Sequence, residues 1–317
     1  MSEFFGIPTN PFSVNPDPRF LYMTPPTEEA LACLTYGIQS RRGFVLLTGE
    51  VGTGKTTLVN KFLEQLRSQQ VATAFIFNSR MNVAQFFDYM MADFGLECES
   101  KLKSQMLLQL YNWLLERYRA GQTSVLIVDE AQNLSLEVLE EIRMLTNLET
   151  STAKLLQIVL VGQPELEYTL RHPQLRQLKQ RITLRAKTHP LAVEDTRNYI
   201  AQRLHIAGAN GRPVFQDEAI AAIHQYSGGI PRVINLLCEH SIVSVFVERK
   251  DIISVDTVKA VAKEFELQQD GKVPLASGYG ASRNGDRSEL VQALDTLAML
   301  SDRLRRTQND LPKERKL

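Results

Sequence analysis

The chain has 317 residues, 44% of them hydrophobic, and 36 basic residues balance 36 acidic ones. That is enough apolar material for one large or two smaller domains, and the zero net charge advertises no polyanion partner, although a local basic patch can hide in a balanced total. The start, Met1-Ser-Glu-Phe-Phe5, lacks the features of a signal peptide, no apolar run approaches a membrane span, and the three scattered cysteines, Cys33, Cys98 and Cys238, have no metal or disulfide spacing, so a soluble, cytoplasmic protein with reduced thiols is expected.

In chain order, residues 1–26 are rich in proline and aromatics (Asn10-Pro-Phe12, Pro16-Asp-Pro18, Phe20-Leu-Tyr22) and read as an extended arm. Thr24 or Thr27 can cap a helix running to about Ser40, with prolines suited to its first turn. Strands are expected at 44–48, 73–78, 124–128 and 156–161, with helices between them, for example at 83–94 and 103–119. Continuous apolar strands joined by helices predict an α/β domain over 27–190, with a parallel sheet covered on both faces. After Pro190 the pattern is helical only, at 192–207, 217–226, 231–247 and 255–267, which predicts an all-helical domain over 191–267. Residues 268–287 carry Gly, Ser and charges and read as a flexible linker. A last helix over 288–306, with Leu290, Leu294, Leu297 and Leu304 on one face, precedes the tail that ends at Leu317. It can pack on its own domain or bind a partner, and the pattern leaves both open.

The chemistry starts at Gly49-Glu-Val-Gly-Thr-Gly-Lys-Thr56, which fits the phosphate-loop pattern G-x-x-x-x-G-K-[ST] between an expected strand and an expected helix. Gly49, Gly52 and Gly54 let the backbone turn N–H groups inward, and the helix N-terminus adds its positive dipole end. Glu50, Val51 and Thr53 complete the loop, and Thr57 follows it. Lys55 is placed to reach the β- and γ-phosphates, and Thr56 to offer its hydroxyl to Mg²⁺. Val125-Leu-Ile-Val-Asp-Glu130 is an apolar strand ending in two carboxylates. Asp129 is the candidate for the Mg²⁺ shell and Glu130 for polarising the attacking water. Gln163 ends the next strand, where it can touch the γ-phosphate or the water, or simply fill a turn before Pro164. In Leu175-Arg-Gln-Leu-Lys-Gln-Arg-Ile182, Arg181 is the first candidate for a guanidinium supplied across a subunit boundary, ahead of Arg176 and Arg185; a solvated basic face is the alternative. Arg232 follows Gly228-Gly-Ile-Pro231 at a helix start, where the dipole disfavours a cation and a nearby phosphate would explain one.

These five elements, in this order, resemble the AAA+ ATPases, in which the matching positions are Walker A, Walker B, sensor 1, arginine finger and sensor 2. Over roughly residues 4–267 the chain also resembles the ExeA/GspA-type secretion ATPases. That likeness rests on Asn10-Pro-Phe12, Pro16-Asp-Pro-Arg-Phe20, Tyr36-Gly37, Gly43-Phe44, the segment from Leu47 to Thr57, Asp129-Glu-Ala-Gln-Asn133, Asn147-Leu-Glu-Thr150, Gly162-Gln-Pro-Glu-Leu166, Gln180-Arg-Ile182 and Gly229-Ile-Pro-Arg232. Thr27 departs from it, standing where many members have a histidine.

The resemblance implies a P-loop NTPase fold with a helical lid, ATP and Mg²⁺ as cofactors, and a homo-oligomer with shared sites. It further implies service to a secretion, pilus or exopolysaccharide system. Long members add a membrane span and a peptidoglycan-binding domain; this chain reads as a short form without them. Transposition ATPases share these motifs, and the basic cluster Arg171, Arg176, Lys179, Arg181, Arg185 and Lys187 keeps an ATP-gated DNA regulator as the alternative. A protein partner held through 288–306 is a further expectation.

Overall fold

A computed structural model describes residues 9–13, 15–77, 80–97, 102–209 and 213–268. The expected linker beyond residue 268, the expected helix at 288–306 and Cys98 lie outside the described residues.

Five strands, β1 (Phe44–Thr48), β2 (Ala72–Ile76), β3 (Ser124–Val128), β4 (Leu156–Gly162) and β5 (Leu184–Lys187), form a parallel sheet in the order β2-β3-β4-β1-β5. The inner strands β3, β4 and β1 are buried at every position, which is why each reads as a mostly apolar run, interrupted in β4 by Gln157, whose Oε1 accepts from Gly43 N–H (2.8 Å). Alternate residues feed two cores. Phe44, Leu46, Leu126, Val128, Ile158 and Leu160 face one side; Val45, Leu47, Val125, Ile127, Val159 and Val161 face the other.

Among the described residues this part of the chain has the helices α1 (Pro25–Gln39), α2 (Lys55–Ser68), α3 (Val83–Asp93), α4 (Lys103–Arg119), α5 (Leu136–Leu145), α6 (Pro164–Thr169) and α7 (Arg176–Arg181). α1 and α2 cover the second face with Leu34, Ile38, Leu58 and Phe62; α3, α4 and α5 cover the first with Phe86, Met90, Leu110 and Ile142. Local signals start several of them. Thr24, rather than Thr27, caps α1; a reciprocal Asn82–Gln85 capping box opens α3; Ser135 caps α5.

Two sequence expectations shift here. The strand expected at 73–78 starts one residue earlier, at Ala72, and runs to Ile76, while Asn78 lies outside the described residues. β5 was not expected. It is four residues long, lies at the edge against β1, and exposes Arg185 and Lys187, so it has no apolar run to read.

The helical part comprises α8 (Val193–Ile206), α9 (Asp217–Ser227), α10 (Pro231–Glu248) and α11 (Val255–Glu264), packed around Ile200, Ile223, Leu237, Ile242 and Val258. The segment expected to be an extended arm also enters this core. Phe12 is fully buried there, edge-on to Phe215 with ring centroids 6.1 Å apart. Residues Pro18–Phe20 form a single 3₁₀ turn. Arg203 on α8 donates to the Pro11 carbonyl and to Tyr199 Oη (2.7 Å), and its guanidinium lies over the Phe20 ring. Asn60 on α2 donates to the Pro16 carbonyl (3.0 Å), so the segment straps the helical part to the phosphate-loop helix. Among the described residues no helix is long and apolar enough to cross a membrane.

Truncating Phe12 to Ala removes a fully buried ring, so Phe12→Ala is expected to cost about 3–5 kcal/mol. Urea denaturation followed by circular dichroism should register the loss although residue 12 lies far along the sequence from α8–α11.

Candidate functional site

The parallel register brings the candidate residues together. Thr48 pairs with Gly162 and with Lys187, so the residues that follow β1, β4 and β5 emerge side by side. Gly49 N–H bonds the Gly162 carbonyl (3.3 Å), and Thr188, just past β5, shares a hydrogen bond with Thr53 (2.7 Å) under the loop. The site thus lies at the carboxyl ends of the strands, where ligands of open parallel sheets bind.

The loop is shaped for an anion. Gly52 and Gly54 have φ of +81° and +93°, conformations that residues with a Cβ rarely adopt. Gly54 is the N-cap of α2 and offers no side chain, which leaves the first-turn N–H groups of that helix to a ligand. Glu50 and Val51 are exposed at the loop's crest, Thr53 is buried, and Thr56 and Thr57 are half-buried on the first turn of α2.

Lys55 is 6% exposed, and its ammonium donates to the Gly49 (2.8 Å) and Glu50 (3.0 Å) carbonyls. Burial pushes its pKa down from the ordinary lysine value, while Glu130, Asp129, Glu50 and Glu165 oppose that shift. Asp129 is 4% exposed, and burial pushes its pKa up. It accepts from the Thr56 hydroxyl (3.2 Å) and from Glu130 N–H (2.8 Å). A hydroxyl beside a carboxylate is a pair of hard oxygen donors that suits Mg²⁺, and a desolvated ammonium suits phosphate oxygens. The residues fit a magnesium–nucleoside triphosphate.

Glu130 stands in the left-handed region, φ 52° and ψ 36°, the kind of sparsely populated backbone that clusters at functional sites. Gln163 Nε2 donates to its Oε2 (3.1 Å), so the two candidates meet. The same carboxylate oxygen accepts from Gln132 Nε2, and the Gln132 carbonyl oxygen accepts from Gln163 N–H (3.1 Å). Gln132 sits on a 3₁₀ turn, Ala131–Asn133, and sequence reasoning quoted it in a motif without giving it a role. Its signal was slight: an amide at the second position after the acidic pair.

Arg232 comes from the helical part. Gly229 presses against Leu191, whose N–H bonds the Gly229 carbonyl (2.7 Å), and Pro231 opens α10. Arg232 N–H bonds the Gly52 carbonyl (3.2 Å), and a Cβ at Gly52 would lie 2.8 Å from that of Arg232. The start of α10 therefore rests on the phosphate loop, with Arg232 exposed beside it. Arg181 is not part of this cluster. It ends α7 and donates to the Thr146 hydroxyl at the end of α5.

Residues 38–170 match the family model described as an AAA domain. General secretion pathway protein A of Aeromonas hydrophila is 46% identical over 246 residues, which cover 77% of this chain and 45% of that protein. The chain thus spans about half the length of that curated relative. Among solved structures, Cdc6p of Pyrobaculum aerophilum superposes with a TM-score of 0.62 at 16% identity, over 77% of this chain and 68% of that one. ORC2 of Aeropyrum pernix, in its ADPNP–ADP complexes, gives 0.59 at 16%, over 78% and 71%. The RuvB Holliday junction branch migration motor of Thermotoga maritima gives 0.52 at 18%, over 77% and 71%. At these identities the likeness is one of fold.

Burial disfavours the Asp129 carboxylate, so at neutral pH the charged group costs stability in the ligand-free protein. Asp129→Asn is therefore expected to melt higher without ligand. It should also lose the further rise that Mg²⁺ with ATP gives the unsubstituted chain, both read by thermal-shift measurement.

Proposed function

Because the chain is a GspA-like AAA-domain protein, we propose that it hydrolyses ATP to ADP and phosphate and uses the cycle to move its helical part and its neighbours. The reading rests above all on one observation: the Glu130 carboxylate bonds Gln163 from the adjacent strand end, next to the Thr56–Asp129 pair. A metal anchor and a water-orienting group then flank one loop, which is what phosphoryl transfer to water requires.

In this reading the loop from Gly49 to Thr57 holds the triphosphate with its N–H groups, and Lys55 neutralises the β- and γ-oxygens. Thr56 and Asp129 would hold Mg²⁺, which would supply charge neutralisation to the phosphates. Glu130 accepts a hydrogen bond from the attacking water and takes its proton as the water oxygen bonds the γ-phosphorus and the bond from that phosphorus to the bridging oxygen breaks, releasing ADP. Gln163 fixes that water or a γ-oxygen. Arg232 adds positive charge from the helical part, so that part senses the γ-phosphate. The strap through Phe12 and Phe20, with the helical part, encloses the base and ribose.

Arg181 is assigned to the site of a neighbouring copy in a homo-oligomer. Its guanidinium donates to the Thr146 hydroxyl rather than to its own phosphate loop, and reaching a neighbour's site requires it to leave that bond. The pathway we assign is a secretion, pilus or exopolysaccharide and envelope system served from the cytoplasmic side; secretion is the pathway in the name of the relative that shares nearly half of the aligned residues. The alternative, an ATP-gated DNA regulator, has less support, since Lys187 of the basic cluster is already paired with Glu167 (3.0 Å).

Lys55→Ala is expected to lose nucleotide affinity in a titration with fluorescent ATP. Glu130→Gln should bind ATP with near-normal affinity and release phosphate at least about a hundredfold more slowly; phosphate release at the unsubstituted rate would remove the reading. For the shared site, Arg181→Ala and Lys55→Ala chains, each inactive alone, should regain part of the activity when mixed. A mixture that stays inactive while still assembling would return Arg181 to an ordinary surface role.

A further inference from the structure

We infer that Gln132 is a positioning residue that holds the Glu130 carboxylate in line for its task and ties it to the end of β4. The inference rests on the ATPase reading above, and three features carry it.

The first is the amide's double use. Its Nε2 donates to Glu130 Oε2, while its Oε1 accepts from the backbone N–H of Gln163. One planar group thus fixes a side chain from the end of β3 against the backbone at the end of β4. Gln163 Nε2 reaches the same carboxylate oxygen (3.1 Å), so Glu130, Gln132 and Gln163 close a ring of hydrogen bonds. Such a ring leaves the carboxylate few rotamers.

The second is the space made for it. A Cβ at Gly162 would lie 2.8 Å from Leu166 Cδ2 and 2.9 Å from Gln132 Oε1. The last residue of β4 is a glycine where both the amide and the Leu166 side chain have to pass, so the strand end leaves room for Gln132 together with Leu166. The third is the backbone. Glu130 holds a left-handed conformation at the head of a turn, which residues with a Cβ adopt uncommonly. The Gln132 bond returns onto Glu130 across that same turn. Asparagine, one methylene shorter, cannot span both partners.

Gln132 bonds Glu130 and Gln163 rather than the phosphate loop, so its effect should appear in turnover and not in binding. In Gln132→Ala, kcat is expected to fall about tenfold, with KM for ATP and the affinity for fluorescent ATP unchanged. Gln132→Glu keeps the length and the acceptor for Gln163 N–H but turns a carboxylate toward Glu130, and should lose at least as much turnover. In a Glu130→Gln background, adding Gln132→Ala should lower the residual rate no further, because the residue acts through Glu130. Hydrogen exchange gives a readout apart from activity: the Gln163 amide should exchange faster in Gln132→Ala and keep its protection in Gln132→Glu.

Wild-type kcat in Gln132→Ala, with turnover still lost in Glu130→Gln, would overturn this inference and leave the ATPase reading standing. So would a loss of ATP affinity that matches the loss of kcat, or a further tenfold fall in the double variant. Normal hydrolysis by Glu130→Gln would remove the ATPase reading and this inference with it.

Discussion

Two opposite charges, Lys55 and Asp129, are held out of water beyond the carboxyl ends of β1 and β3, the two strands that flank β4, and the site is organised around that constraint. Burial works against both ionised forms, lowering the pKa of one and raising that of the other. Neither group is relieved by a direct ion pair with the other. Lys55 leans on loop carbonyls and Asp129 on the Thr56 hydroxyl and a backbone N–H. Groups desolvated in this way are poised for ligands that carry the complementary charge, phosphate oxygens for one and a hard cation for the other. The fold bears the cost because strong sheet packing surrounds the pair: β1, β3 and β4 are fully buried and supply both cores.

The same strand ends explain why the helical part bears on the loop. Gly52 is the place where the backbone must turn with positive φ and where α10 must come closest, and one residue meets both demands. The strap of residues 10–20 then closes a second connection. It buries Phe12 among α8–α11, takes the Arg203 guanidinium under its carbonyls, and is gripped by Asn60 from the phosphate-loop helix. A shift of the loop can therefore reach the helical part by two routes, one at the start of α10 and one through the strap.

Much of this was legible from the chain alone. The phosphate loop could be read because its residues are contiguous and their chemistry is local: glycines for the turn, a lysine and a threonine at fixed offsets. The inner strands could be read because burial on both faces leaves a mostly apolar run. β5 could not, since an edge strand of four residues alternates Arg185 and Lys187 with two apolar side chains and matches no strong pattern. Phe12 lay in a stretch rich in proline, which signals extended backbone but not what that backbone packs against.

Gln132 marks the limit most clearly. An amide in a turn is ordinary in a sequence, and its meaning depends on Gln163 and Gly162 arriving beside it from another strand. The sequence by itself determined the phosphate loop, the acidic strand end, the parallel α/β core and the change to helices after Pro190, because each is written in neighbouring residues. Only the tertiary structure decided that Glu130, Gln132 and Gln163 share one hydrogen-bond ring, that α10 rests on Gly52, and that Arg181 sits with Thr146 apart from its own loop. Those arrangements depend on strand order and register, and order and register are settled by packing among segments that lie far apart in the chain.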